Sequence, residues 1–304
     1  MPAFISSPLA ATVFVLLYLL SGTGVLNAQE RSSPTLEKIR DSGSVYIGYQ
    51  ERVPYAYRVD GQIVGHSMDL CGHLVSAIKR QLGLPDLEVV RVPVTPASRQ
   101  MMFEAGTLDL DCGPVTNTRQ GQRFVAFSVS TQAVGIKAVV RADSGIQSLR
   151  DLQGKRVVTV AGTNADAHVK AVVARQGVSP IYRFGHDADN ALRQLQNAQA
   201  DVLVADNVQI HVLLATVPEV DAASLVILPG EIAVEPAAVM LRRKDPLFKQ
   251  LIDQTLIGLM RSGEFARLYT RWFMAPIPPH ANSLELPMSE WLKQLILTPN
   301  DKGI

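Results

Sequence analysis

Several polar side chains lie where they could hold a small charged ligand. Gly162-Thr163-Asn164 joins an apolar stretch to a helix start, where free backbone N–H groups and the helix dipole favour an anion, although such a junction is more often an ordinary turn and cap. Asp206 ends an apolar stretch and suits either a counter-ion for a cationic group or a helix N-cap. Arg99 begins a helix, where the dipole disfavours a cation, so it indicates an anionic partner or a solvated side chain.

These side chains belong to short segments that follow predicted strands. In open parallel sheets, ligands bind outside the carboxyl ends of the strands. The segments contain Arg, Thr, Asn, Gln, His and Asp residues, which suit a small polar ligand. They are 49–51, 95–99, 112–119, 161–164, 185–187 and 206–207.

Strand-like and helix-like stretches alternate in the same order twice along the chain. Runs of β-branched and aromatic residues indicate strands, and apolar residues at helical spacing, followed by glycine, indicate helices. The order β-α-β-α-β predicts an α/β fold with mostly parallel sheets flanked by helices. The first copy has strands at 45–49, 87–92 and 108–111 and helices at 68–82 and 98–105, and the second has strands at 156–160, 180–184 and 201–205 and helices at 166–176 and 189–197.

Two extended stretches connect the copies. Residues 133–140 lead from the first copy to the second, and 237–242 are again strand-like before a helical tail at 246–273. We therefore predict that lobe 2, residues 142–232, is inserted into lobe 1, residues 29–141 with 233–304. Crossings near 137–141 and 233–239 would form a two-strand hinge, on which the lobes close around a ligand.

Residues 1–28 are typical of a secretory signal peptide. A short apolar run is followed by small residues that end at Ala28, which predicts export to the periplasm. No Lys or Arg precedes the run, so an uncleaved membrane anchor is the alternative.

Composition excludes several classes of function. Lys plus Arg is 29 and Asp plus Glu is 28, so there is no basic excess to neutralise nucleic acid. Six His and two Cys leave no zinc ribbon or iron–sulfur site, and we expect no metal or cofactor. Cys71 and Cys112 fall in the same lobe and could form a disulfide or be two buried thiols.

Ordered motifs from residue 35 to residue 302 add a family resemblance. They include Asp111-Cys112-Gly113 and, near the end, 262–264, 276–279 and 299–302. Together they resemble the family 3 solute-binding proteins of ABC importers, in particular the glutamate/aspartate-binding members. The resemblance implies a type II periplasmic-binding-protein fold that grips an amino acid between its lobes.

The resemblance also implies roles for individual residues. Thr116 and Gly162-Thr163 match the family's α-carboxylate site, Asp206 matches the ammonium-binding Asp, and Arg99 matches a residue that holds the ligand's side-chain carboxylate. Gln50 and Pro96 stand where an Arg and a Ser are expected, and His186 lies within about two residues of the subgroup's His. The expected ligand-binding residues are Gln50, Tyr55, Arg99, Thr116, Arg119, Thr163, Asn164, His186 and Asp206.

The Arg that clamps the carboxylate in the family is the main departure. Ungapped counting places Gly121 there, with Arg119 and Arg123 two residues to either side, about 200° around a helix. Loss of one charge-assisted hydrogen bond weakens binding about 10- to 150-fold. Either the loop is re-formed so that Arg119 enters the cleft, or the ligand is not a standard α-amino acid.

We expect a monomeric, periplasmic solute-binding component of an ABC importer that delivers a small polar or anionic, amino-acid-like solute to a membrane permease. One alternative is a sensory or accessory binding protein. The other is an exported, dehydratase-like enzyme on the same scaffold, with Glu51 or His186 as the proton-transfer group. We expect no enzymatic activity, because paired carboxylates and a nucleophile elbow are missing from the sequence.

Overall fold

The computed structural model describes residues 32–217, 221–279 and 282–304, so the predicted signal peptide lies outside the described residues. Strands and helices alternate through most of this range. The strands are β1 (Ser44–Tyr49), β2 (Tyr57–Val59), β3 (Gln62–Val64), β4 (Glu88–Pro93), β5 (Leu110–Thr116), β6 (Ala126–Phe127), β7 (Gln132–Arg141), β8 (Arg156–Val160), β9 (Ile181–Gly185), β10 (Val202–Asp206), β11 (Leu225–Ile227) and β12 (Ala233–Leu241).

The helices flank these strands and begin with recognisable caps. Ser33, Thr95, Thr163 and Asp206 each accept a hydrogen bond from a backbone N–H in the first turn of the helix that follows. The helices are α1 (Pro34–Ser42), α2 (His66–Leu82), α3 (Pro96–Glu104), α4 (Asn164–Arg175), α5 (Ala188–Gln196), α6 (Asn207–Thr216), α7 (Pro246–Ser262), α8 (Glu264–Tyr269) and α9 (Glu290–Leu297).

One mixed sheet runs through the molecule in the order β4-β1-β5-β12-β7-β10-β8-β9, with β6 beside β12 and β11 beside β7. Strands β4, β1 and β5 are mutually parallel, and so are β10, β8 and β9. The α/β class with mostly parallel strands in each half is confirmed. We call the half around β1 lobe 1 and the half around β8 lobe 2.

The two halves meet at a pair of adjacent crossing strands. β7 and β12 pair antiparallel, from Gln132 opposite Ala237 to Ile136 opposite Ala233. β7 then continues into lobe 2 beside β10, while β12 continues into lobe 1 beside β5. The exact limits of the lobes, 29–141 with 233–304 and 142–232, stay a prediction.

Each half has apolar clusters of its own. In lobe 1, α2 buries residues at helical spacing, including Leu70, Leu74 and Ile78, and these belong to one cluster with α7 residues such as Ile252. In lobe 2, separate clusters pack α4 and α5 against the sheet. α6 is the exception, because its Val208 is buried in the lobe 1 cluster.

A disulfide joins α2 to β5. Cys71 and Cys112 are bonded, with their Cα atoms 5.9 Å apart, which decides between the two alternatives left open by the sequence. The bond ties a helix of lobe 1 to the strand that leads to the cavity described below.

Two predicted elements have different limits in the structure. The third strand was predicted at 108–111, but β5 runs to Thr116, because its far end pairs with Ala237 and Ala238 of the distant strand β12. The tail predicted as one helix at 246–273 breaks at Gly263, whose positive φ of 81° ends α7. No described helix is long and apolar enough to cross a bilayer.

Candidate ligand-binding site

A cavity of about 630 Å³ lies between the two lobes. Residues at or just beyond the carboxyl ends of β1, β5, β8 and β10 contribute to it, as the rule for parallel sheets predicts, together with both crossing strands. Its charged and polar lining residues are Gln50, Glu51, Arg52, Tyr55, Arg99, Thr116, Thr163, Asn164, Asp206, Gln209 and Glu235.

On the lobe 1 wall, Arg99 is held by a buried carboxylate. Its guanidinium contacts Asp111 of β5, and its Nη2 donates to Gln50 Oε1 at 3.3 Å. Asp111 also accepts a hydrogen bond from the backbone N–H of Gly113 at 2.8 Å. The carboxylate offsets the charge of Arg99, so this side chain contributes shape and hydrogen-bond donors to the cavity.

On the lobe 2 wall, the turn between β8 and α4 presents Thr163 and Asn164. Gly162 adopts a φ of +76°, a region that glycine enters without strain, and this turns the chain into the helix. Thr163 Oγ1 donates to the Val160 carbonyl at 2.7 Å and accepts from the Asp166 N–H at 3.3 Å. The sequence left open an N-cap and an anion site here, and the cap is present.

Asp206 combines an N-cap with an ion pair across the cavity. Its Oδ1 accepts from the Gln209 N–H at 2.8 Å, and its Oδ2 contacts the guanidinium of Arg52 from lobe 1. Burial is the largest effect on Arg52 and opposes its ionisation, but the charge of Asp206, the nearby Tyr55 and the hydrogen bond to Asp206 together outweigh burial and raise the pKa of the guanidinium. Arg52 therefore stays charged at neutral pH.

Glu235 of β12 connects the two lobes at the crossing strands. Its side chain is buried, and its Oε2 accepts from Thr116 Oγ1 at 3.1 Å and from Asn164 Nδ2 at 2.8 Å. His168 Nε2, from the second turn of α4, lies 2.8 Å from Oε1. One carboxylate thus links a lobe 1 strand, a lobe 2 helix and a crossing strand.

The aromatic ring of Tyr55 packs against the guanidinium of Arg52. The Arg52 guanidinium lies 5.9 Å from the centre of the Tyr55 ring, which packs edge-on against Phe273. Burial raises the pKa of Tyr55 well above its usual value, so its hydroxyl stays protonated. Within the described residues, that buried hydroxyl has no hydrogen-bond partner.

The structure brings seven of the nine predicted site residues to this cavity, and their roles in binding stay predictions. Arg119 and His186 do not line it. The Arg119 side chain is exposed, and its backbone N–H donates to the carbonyl of Ile304 at 2.9 Å. His186 is 75% exposed and lies 2.9 Å from Asp187. The seven are Gln50, Tyr55, Arg99, Thr116, Thr163, Asn164 and Asp206.

Position 121 also faces away from the cavity. A Cβ built on Gly121 would lie 3.1 Å from Thr118 Oγ1 and 3.4 Å from the Phe127 ring. The residue begins a short 3₁₀ turn, Gly121–Arg123, instead of an α-helix. A long side chain at 121 would therefore start toward lobe 1 and not toward the ligand space.

Sequence reasoning missed Arg52, Gln209 and Glu235 of the cavity lining, and His168, which contacts Glu235. Arg52 and Gln209 lie one and two positions beyond the predicted segments 49–51 and 206–207, and Glu235 and His168 lie outside the segments that follow predicted strands. A signal for Glu235 exists, because it is a lone carboxylate in the otherwise apolar run of β12. In the described part of the chain, no group of three or more potential metal ligands is present.

The family model of the bacterial extracellular solute-binding proteins, family 3, matches residues 45–275. The chain belongs to this family. The family 3 protein described here is 32% identical over 272 residues to the L-glutamate/L-aspartate-binding protein of Pseudomonas aeruginosa, with 88% of this chain and 89% of that relative covered. It is 30% identical over 297 residues to the glutamate/aspartate import solute-binding protein of Escherichia coli, with 97% and 98% covered.

Solved structures share the architecture of this family 3 protein. A mutant of ArgBP from T. maritima aligns with a TM-score of 0.60 at 25% identity, over 78% of this chain and 98% of its own. The ancestral amino acid-binding protein AncCDT-1, a precursor of cyclohexadienyl dehydratase, aligns with a TM-score of 0.62 at 22% identity, over 79% and 99%. The second likeness shows the fold alone. These neighbours confirm the predicted two-lobe fold.

Proposed function

We propose that the protein is the periplasmic solute-binding component of an ABC importer and binds a small, charged, amino-acid-like solute by hinge closure. The observation that carries this is the cavity itself, because both lobes supply charged and polar side chains to one space. Its volume of about 630 Å³ falls within the usual range of roughly 300–1,000 Å³ for small-molecule sites.

The named relatives support an acidic amino acid as the solute. Three relatives at 30–32% identity are glutamate/aspartate-binding proteins, and 89–98% of their length is covered. A solute would first bind to one wall of the cavity and then draw in the other, and β7 and β12 would bend between the lobes. Closure follows because the solute contacts both walls only in the closed form, so that form binds it more tightly.

Binding without chemistry is the role that the arrangement of the cavity supports best. Glu51, one of the two proton-transfer candidates, forms an exposed ion pair with Arg58 at 2.9 Å. His186, the other candidate, lies outside the cavity lining. The partners we propose are the free solute and a membrane permease of the importer, with the protein acting as a monomer after export.

Calorimetry against a solute panel tests this proposal. The panel is L-glutamate, L-aspartate, L-glutamine, L-arginine and L-histidine, with glutarate and succinate as dicarboxylates. We expect at least one amino acid to bind the wild type with 1:1 stoichiometry. Absence of binding to every member of the panel would contradict the proposal.

Asp206→Asn is the matching variant, because it keeps the shape of the side chain and removes its charge. We expect the best solute to bind about 10- to 150-fold more weakly, the cost of one charge-assisted hydrogen bond. Asp143→Asn is the control, because this substitution removes the same charge from a side chain that is 85% exposed and lies beyond the end of β7. If the two variants bind the solute with equal affinity, the charge of Asp206 does not contribute to binding.

A further inference from the structure

One ion pair crosses the cavity from lobe to lobe. Arg52 follows β1 of lobe 1, Asp206 ends β10 of lobe 2, and the guanidinium contacts the carboxylate directly. The Asp206 side chain is 16% exposed and the Arg52 side chain is 39% exposed. A solute that enters between the lobes must therefore share or separate this pair.

The second cationic side chain of the cavity, Arg99, is already paired with a carboxylate outside the solute space. Among the described lining residues, the cationic side chains are Arg52 and Arg99. Arg99 contacts the buried carboxylate of Asp111, which does not line the cavity, so a solute cannot take its place there. Arg52 differs, because its carboxylate partner, Asp206, lines the solute space.

Charge balance limits what can separate Arg52 from Asp206. A cation that binds Asp206 alone would leave the partly buried guanidinium of Arg52 without a carboxylate partner. An anion that binds Arg52 alone would leave the Asp206 carboxylate without a cationic partner. Removing one partner of a buried pair is costly, because the remaining charge is poorly solvated. An amino acid supplies both replacements at once, because its α-carboxylate and α-ammonium together add no net charge.

The local geometry allows this exchange on both sides. Asp206 keeps its orientation through Oδ1, which caps α6, so Oδ2 can change partner without movement of the backbone. The Arg52 backbone is fixed by an N–H donated to the Ala56 carbonyl, and its guanidinium rests over the Tyr55 ring. The flexible side chain can then follow a carboxylate while it keeps its aromatic contact.

We propose that Arg52 is the residue that binds the carboxylate of the solute, and that an amino acid inserts between Arg52 and Asp206, exchanging one ion pair for two. This inference rests on the proposed function. The carboxylate then lies on Arg52 and the ammonium on Asp206, so affinity depends on the presence of both groups in one molecule.

The test compares each amino acid with its decarboxylated amine. Calorimetry uses whichever amino acid of the panel binds the wild type most tightly: L-glutamate paired with 4-aminobutanoate, L-aspartate with 3-aminopropanoate, L-glutamine with 4-aminobutanamide, L-arginine with agmatine, or L-histidine with histamine. The variants are Arg52→Gln and Arg52→Met, with Arg267→Gln as control because Arg267 is 63% exposed and pairs with Glu264 away from the cavity. Thermal unfolding of all three establishes that they are folded, and two different replacements guard against misfolding of one.

We expect the wild type to prefer the amino acid over its amine by at least about tenfold, as one charge-assisted hydrogen bond provides. Both Arg52 variants should bind the amino acid at least about tenfold more weakly, and the preference over the amine should fall below about threefold. The control should match the wild type. If the Arg52 variants bind the amino acid as tightly as the wild type or more tightly, Arg52 only competes with the solute for Asp206 and the inference is wrong. If the wild type binds no amino acid, the proposed function itself fails.

Discussion

Removal of the Glu235 carboxylate should destabilise the folded protein more than removal of an exposed charge does. Glu235 is 4% exposed and holds the Thr116 hydroxyl, the Asn164 amide and the ring of His168. Glu235→Ala takes this acceptor away from all three groups and leaves Asn164 Nδ2 only its hydrogen bond to Thr116 Oγ1 at 3.3 Å. Glu235→Gln keeps an amide oxygen of nearly the same shape and removes only the charge.

The hydrogen bonds of Glu235 determine how much free energy of unfolding each variant loses. A hydrogen bond to a charged group contributes about 1.5–3 kcal/mol, and a buried polar group left without a partner costs about 1–3 kcal/mol. Because the His168 side chain is 30% exposed and can turn to water, only the bonds from Thr116 and Asn164 count in full. Glu235→Ala should therefore lower the free energy of unfolding by about 3–5 kcal/mol, and Glu235→Gln by about 1–2 kcal/mol.

Urea unfolding with linear extrapolation measures both values, and the slope of the transition checks that the unfolded state is unchanged. Glu231→Ala is the matched control, because its side chain is 29% exposed and lies 3.8 Å from Lys137, a pair worth at most about 1 kcal/mol. A double-mutant cycle with His168→Ala should give a coupling energy above about 0.5 kcal/mol. If Glu235→Ala costs no more than the control, the carboxylate does not connect the lobes as described.

Two further predictions concern stability. Reduction of Cys71–Cys112, which closes a loop with a sequence separation of 41, should lower the free energy of unfolding by up to about 4 kcal/mol, and equal urea midpoints with and without reductant would contradict this. Burial lowers the pKa of His66 from 6.5 to about 3. Between these pH values the unfolded chain binds a proton at His66 and the folded chain does not. The stability that neutral His66 contributes is therefore present above about pH 6.5 and is lost as the pH falls toward 3. The loss from pH 7 to pH 5 is about 2 kcal/mol, and His66→Gln should remove that part of the acid sensitivity, whereas an unchanged pH profile in the variant would show that His66 is not its source.

The alternation of elements could be predicted because it depends on local spacing. Leu70, Leu74 and Ile78 are buried on one face of α2, and the strands of each half follow runs of β-branched residues. Pairing between distant strands could not be predicted in this way. β5 runs to Thr116 because Ala237, more than a hundred residues later, provides its partner.

The candidate site was predicted where a local signal existed. Asp206 and Thr163 were selected because each stands between a strand and a helix, and both line the cavity. The Arg52–Asp206 pair joins residues 154 positions apart, and neither spacing nor charge in one segment indicates it. Ungapped counting also placed Gly121 in the ligand space, whereas the 3₁₀ turn directs that position toward Phe127.

Small-angle X-ray scattering of the purified protein, recorded with and without a saturating solute identified by calorimetry, tests the central claim most directly. Closure of two lobes about β7 and β12 predicts a smaller radius of gyration in the bound protein, with the mass of a monomer in both samples. Superimposable scattering curves for the free protein and for the protein with bound solute would contradict closure of the two lobes on their ligand.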